Sequence, residues 1–207
     1  SVSFLCHFTF FTSFSSSCLP WIHLSHATCG SLSHRVKDLK SSRAGLEIQS
    51  LHSFLVKNDT REFALKFSLH FCLDTTIPGK VEGTLCAERM AWLGARLAEA
   101  PNAPTMIAMH HPAFRIGRAI SDARPFGNAK EFAALVNRYP NVSLITAGHV
   151  HCTLQARIGN AVALAVPSTA FQFAMDRRPG APLSLVNEPP GIYLHDWTED
   201  AGFTSQC

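Results

Sequence analysis

The sequence predicts an α/β fold whose parallel strands end together on one edge, and three observations lead there. The runs Thr105–Met109 and Val142–Ala147 are short, apolar and bounded by Pro or Gly, which is the pattern of buried strands. Between them, Phe132, Leu135, Val136 and Tyr139 recur at i, i+3, i+4 and i+7, one face of a helix. Strand, helix, strand makes a βαβ unit, whose strands run parallel and present their carboxyl ends on the edge where α/β sheets bind ligands. Each strand run stops in histidines, His110-His111-Pro112 after the first and Gly148-His149-Val150-His151 after the second. The topology therefore predicts that His110, His149 and His151 converge.

In chain order, residues 1–60 read as an atypical segment rich in Ser, Phe and Cys, and residues 61–207 as a partial α/β domain. Residues 1–72 hold 9 of the 15 phenylalanines but 2 of the 12 glycines and 1 of the 12 prolines, so the turn formers of a compact domain are concentrated after them. No periodicity marks an element before Ser53, and the segment is expected to be a disordered appendage or a replaced N-terminus. Phe63–Leu73 predicts one strand, and Asp74–Gly79 a loop closing in a Pro-Gly turn. Cys86, Met90, Leu93 and Leu97 share one helical face, which predicts a helix over Thr84–Ala100 stopped by Pro101 and Pro104. Thr153–Ile158 and Ala161–Val166, joined by Gly159-Asn160, suit a hairpin. Arg177–Pro190 reads as a Pro-rich loop, and Gly191–Trp197 with Gly202–Gln206 as a last strand pair.

The formal charge of +3 and the absence of a Lys/Arg run argue against nucleic acid or an acidic membrane surface as partner. No run of 18 apolar residues is present, so no membrane span is expected. Seven cysteines without a CxxC pair suit reduced thiols and a cytoplasmic location, and the opening lacks the basic flank of a signal peptide.

Histidines two apart, as in His149 and His151, point the same way on extended backbone, and Gly148 before them allows a sharp turn. Neutral imidazole is the commonest metal ligand, so these two with His110 form a candidate metal-binding edge. Cys18, His23, His26 and Cys29 offer four further ligands, in a spacing that fits none of the usual zinc arrangements. His7, His34, His52, His70 and His195 read as packing or surface residues. Asp122 and Asp176 fall in loops able to border a pocket.

From Leu73 to Trp197 the chain resembles the C-terminal half of calcineurin-like metallophosphoesterases. The resemblance is carried by Leu73-Asp-Thr-Thr-Ile-Pro-Gly79, Ile107-Ala-Met-His-His-Pro112, Ala147-Gly-His-Val-His151 and Pro167-Ser-Thr-Ala-Phe-Gln-Phe173. The branch it resembles is that of the cyclic-nucleotide (class III cyclic AMP) and glycerophosphodiester phosphodiesterases. The resemblance implies a four-layer α/β/β/α sandwich and a pair of divalent ions, drawn from Fe, Mn, Zn or Co, that hydrolyse a small-molecule phosphodiester. It assigns His110 and His149 to one metal, His151 to the other, and His111 to the substrate-pocket wall.

The family pattern also has Asp-x-His, Gly-Asp-x-x-Asp and Gly-Asn-His motifs in its first half, and none occurs here; Gly127-Asn128 and Gly159-Asn160 are each followed by Ala. Three imidazoles can hold one ion but cannot bridge and charge-balance two. The expectation is therefore a phosphodiesterase by descent whose N-terminal part is truncated or replaced, and the sequence names no catalytic residue and leaves activity and homo-oligomerisation open. The alternative is a non-catalytic metal-binding or interaction fragment that keeps half of the site.

Overall fold

In the computed structural model of the chain, the described residues are 68–207 and the backbone of three earlier strands, 2–6, 54–55 and 61–65. All fall within one compact unit, Ser1–His7 with Gln49–Cys207. The candidate zinc ligands Cys18, His23, His26 and Cys29, with His7, His34 and His52, lie outside the described residues.

The elements are β1 (Val2–Cys6), β2 (Phe54–Leu55), β3 (Arg61–Leu65), β4 (Ser68–Leu73), α1 (Ala87–Glu99), β5 (Thr105–Met109), α2 (Ala119–Asp122), α3 (Ala129–Asn137), β6 (Val142–Ala147), β7 (Leu154–Ile158), β8 (Ala161–Ala165), β9 (Gln172–Phe173), β10 (Leu185–Val186), β11 (Tyr193–Thr198) and β12 (Gly202–Gln206). A seven-stranded sheet runs in the order β2-β3-β4-β5-β6-β8-β7, with β4, β5, β6 and β8 parallel and the outer strands β3 and β7 antiparallel to them. The fold is thus α/β, and the parallel β5-α3-β6 unit read from the sequence is present.

One face of this sheet carries the core. Phe71 and Leu73 of β4, Ile107 and Met109 of β5 and Ile145 of β6 pack beneath Leu93 and Leu97 of α1 and Phe132, Leu135 and Val136 of α3. Each such side chain, buried whole, contributes about 1.5–3 kcal/mol of hydrophobic stabilisation. Trp92 meets Phe71 edge-on at 5.8 Å, and the Tyr139 hydroxyl donates to the Gly94 carbonyl at 3.2 Å, tying α1 to the end of α3. The other sheet face meets a three-stranded antiparallel sheet, β1-β11-β12, where the His70 ring lies edge-on to Phe203 at 6.0 Å. Helices, sheet and second sheet are three layers of the expected sandwich among the described residues.

Several expectations are corrected. Phe63–Leu73 is not one strand: the chain reverses, and Leu65 pairs with Ser68 and Ala64 with Leu69 across an antiparallel β3–β4 pair. No Gly or Pro stands between Leu65 and Ser68 to mark the reversal in the sequence. The helix begins at Ala87, with Cys86 exposed at its N-cap, and Leu85 enters the core in Cys86's place. The loop Arg177–Pro190 contains β10, which pairs with β9. Before Ser53, where no periodicity marked an element, β1 pairs antiparallel with β11 from Val2↔Trp197 to Cys6↔Tyr193.

Candidate metal centre

Strands β5 and β6 end side by side, since Met109 pairs with Ala147, and the Gly148 amide donates to the His110 carbonyl at 3.0 Å. This register carries the two histidine motifs to one place. His149 Nδ1 lies 3.2 Å from His110 Nε2, and the two rings cross at 73° with centroids 5.0 Å apart. His110, His111 and His149 each bring a ring nitrogen within 4.8 Å of the others, the one such histidine group among the described residues.

The loop does not take the extended form expected of it. His149 and His151 both have positive φ, 67° and 49°, while Gly148, expected to supply the sharp turn, does not. The Val150 amide donates to the Gly148 carbonyl at 2.7 Å, so His149 is the centre of a three-residue turn. Left-handed backbone at a residue other than Gly costs on the order of 1–3 kcal/mol, and such strain collects at functional sites. His151 stands outside the group that His110, His111 and His149 form. His151 Nδ1–H donates to the Phe171 carbonyl at 3.0 Å, and its ring stacks on Phe173 at 5.0 Å. With Nδ1 so engaged, Nε2 keeps its lone pair, which is how a ligating histidine is usually oriented.

His111 is held differently. Its Nε2 lies 3.1 Å from the Val81 carbonyl, which can only accept, so Nε2 carries the proton. Nδ1 must then accept from the Thr75 hydroxyl at 2.8 Å. Both nitrogens are occupied, and the residues with ring nitrogens turned to one another for a shared ion are His110 and His149. Their separation suits that role: two nitrogens about 2.0–2.1 Å from a tetrahedral ion stand roughly 3.3 Å apart.

Burial, with the neighbouring His111, His149 and His151, pushes the His110 pKa down to about 3. Burial also lowers His149 to about 4, helped by His111, His151 and Arg118. Burial lowers His111 and His151 too, partly offset by their bonds to the Val81 and Phe171 carbonyls. All four are therefore neutral at pH 7, the form that binds metal.

His111 and His149 open onto a cavity of about 310 Å³ walled by Phe114, Phe126, Arg115 and Arg124. Asp122 borders it, but its carboxylate is used to accept from the Ile116 and Gly117 amides at 2.8 and 2.9 Å. Asp176 is engaged by Arg178, which draws its pKa down to about 2. Gly127-Asn128 is no ligand: the Gly127 amide donates to the Gly83 carbonyl at 2.8 Å, and Asn128 Oδ1 accepts from Thr84 and Leu85. Sequence reasoning gave no role to Val81, Gly83 and Arg118, which reach the histidines through space, nor to Thr75, although it stands in the Leu73–Gly79 motif. A Cβ on Gly83 would stand 2.3 Å from the His111 ring, so only glycine fits there.

No family model matches the chain. Curated relatives do. The chain is 34% identical over 134 residues to "Probable glycerophosphodiester phosphodiesterase GpdQ" of Arcobacter nitrofigilis, covering 64% of this chain and 49% of that protein. It is 32% identical over 134 residues to the 3',5'-cyclic-nucleotide phosphodiesterase of a Nostoc species, covering 65% and 49%. It is 32% identical over 101 residues to the 3',5'-cyclic adenosine monophosphate phosphodiesterase CpdA of Escherichia coli, covering 49% and 37%. The chain spans about half the length of the curated relatives it matches, or less. Among solved structures, "GAP50 the anchor in the inner membrane complex of Plasmodium" superposes with a TM-score of 0.50 at 14% identity, over 75% of this chain and 48% of that one, a likeness of fold alone. The aligned part of the chain is thus similar to glycerophosphodiester and cyclic-nucleotide phosphodiesterases, in agreement with the resemblance to the calcineurin-like metallophosphoesterases read from the sequence.

Proposed function

We propose that residues 61–207 are the histidine-bearing part of a metal-dependent phosphodiesterase domain, to whose two sheets β1 and β2 of residues 1–60 add a strand each. The observation that carries this reading is the 3.2 Å approach of His149 Nδ1 to His110 Nε2 at the ends of adjacent parallel strands. His110 and His149 would hold one divalent ion. His151, its Nδ1–H fixed by the Phe171 carbonyl, would offer Nε2 to a second, and His111 would form part of the wall. Such ions, when bound, supply a nucleophile from water at neutral pH and offset charge on the reacting phosphoryl oxygens. Fe, Mn, Zn and Co all suit imidazole donors.

The chain's own residues contribute neutral imidazoles held by carbonyls, and a cavity in which Arg115 and Arg124 favour an anionic diester while Phe114 and Phe126 receive its organic part. A small-molecule phosphodiester is the substrate class proposed. No carboxylate joins the histidine group among the described residues, so a bridged ion pair needs one from elsewhere. That observation favours a second reading, a metal-binding domain without turnover of its own.

Hydrolysis of bis(p-nitrophenyl) phosphate and cyclic AMP with added Mn²⁺, beside metal analysis and a His149→Ala control, separates the two. Turnover lost in His149→Ala supports the phosphodiesterase. Bound metal without turnover supports the second reading, and a chain that binds no divalent metal sinks both.

A further inference from the structure

Arg118, which precedes α2, is 3% exposed, and among the described residues its hydrogen bonds go to uncharged acceptors. Nε donates to Ser121 Oγ at 2.8 Å, one terminal nitrogen to the Val150 carbonyl at 3.0 Å and the other to the Ala174 carbonyl at 3.3 Å. Its guanidinium carbon stands 5.6 Å from the centre of the Phe173 ring. A buried cation is costly unless its donors are used, and here they join two chain segments. Val150 is the residue between His149 and His151. Phe173 and Ala174 follow Phe171, whose carbonyl receives the His151 ring, and the Phe173 amide donates to the His151 carbonyl at 3.0 Å.

We propose that Arg118 is a positioning residue for the histidine edge: its guanidinium fork pins the Val150 and Ala174 carbonyls together and so holds His149 and His151 in their left-handed arrangement. The loop would otherwise relax toward extended backbone, on which two histidines two residues apart point to one side. A lysine cannot replace it, because a single ammonium lacks the planar fork that spans two fixed carbonyls while stacking on an aromatic ring. Arg118 touches no reacting atom. Its functional consequence rests on the reading that these histidines hold metal, whereas the clamp itself does not.

The test compares the full chain with its R118M, R118K and S121A variants by amide hydrogen exchange and by Co²⁺ titration followed in the visible spectrum. In R118M the Phe173 amide should exchange about 10-fold faster or more while Ile107, in the central strand, keeps the parent's protection. Co²⁺ should bind about 10–100-fold more weakly with an altered absorption band, and R118K should recover only part of both. S121A, which frees Nε alone, gives a smaller change in the same direction and serves if R118M does not fold. Parent-like exchange at Phe173 in folded variants would overturn the proposal, as would an equal loss of protection at Phe173 and Ile107. If the parent binds no Co²⁺, the metal reading fails, and the exchange data still decide the clamp.

Discussion

His111 and His149 touch the same cavity with ring centroids 4.6 Å apart, yet their hydrogen-bond partners divide their roles. His111 has a proton committed to Val81 and a lone pair committed to Thr75, whereas His149 faces His110. Replacing His149 by Ala should therefore remove a ligand and weaken Mn²⁺ or Co²⁺ binding by more than 100-fold. Replacing His111 by Ala should cost about 10-fold or less, the effect of a supporting residue. Isothermal titration of both variants decides it, and equal losses would make His111 a ligand. These histidines were legible because each stands in a motif at a strand end. The parts of Thr75, Val81 and Gly83 were not, because they reach His111 from 28 to 36 positions away, and even the motif that holds Thr75 does not say what its hydroxyl meets.

Among the elements, the Gly127-Asn128 pair shows how a motif-like dipeptide can be structural. Asn128 sits at the N-cap of α3 but bonds none of its own helix's amides. Its Oδ1 instead accepts from the Thr84 hydroxyl at 2.9 Å and the Leu85 amide at 3.0 Å, and its Nδ2 donates to the Leu85 carbonyl. This fastens the start of α3 to the segment carrying Gly83, on which His111 rests. Asn128→Ala leaves two half-buried backbone groups of Leu85 unpaired, and should destabilise the fold by about 1–3 kcal/mol in urea unfolding. No change in the midpoint would mean that water replaces the side chain without loss. The helices and the β7–β8 hairpin could be read from periodicity and from Gly159-Asn160, since local spacing dictates both. Two departures from regularity could not. β6 carries a bulge, with Thr105 opposite Val142 but Met106 opposite Leu144. The loop after β6 puts its positive φ on histidines rather than on glycine. The bulge belongs to the pairing of β6 with β5, and the loop is tied to Arg118 and Phe173 far along the chain, so neither leaves a trace in composition.

The whole molecule depends on how the two sheets meet, and there the sequence reading of His70 and His195 as surface or packing residues left both place and charge open. His70 on β4 and His195 on β11 are both buried at this junction, with Ser68 Oγ 2.9 Å from His70 Nε2 and Ser205 Oγ 2.7 Å from His195 Nδ1. Phe203 and Tyr193 supply apolar contact, and Asp196 is the nearby acid. Burial, with repulsion from His195, lowers the His70 pKa to about 4, and burial lowers His195 to about 4 against the pull of Asp196. Each folded-state pKa lies below the unfolded value near 6.5, so between pH 6.5 and 4 the unfolded chain binds more protons. The stability of the folded chain is therefore fully present above about pH 6.5 and is lost as pH falls toward 4. Each such histidine contributes a slope of about 1.4 kcal/mol per pH unit across that window. Urea unfolding from pH 7.5 to 4 should show a flat stability above 6.5 and a steep decline below. His110 and His149, lowered to about 3 and about 4, add to that decline. His70→Gln and His195→Gln keep a hydrogen-bonding group for the facing serine but remove the proton, so each should make the decline shallower by one histidine's share without moving its onset. Unchanged steepness in both variants would mean that the two sheets part, or admit water, before either histidine is charged, and that the junction tolerates protonation.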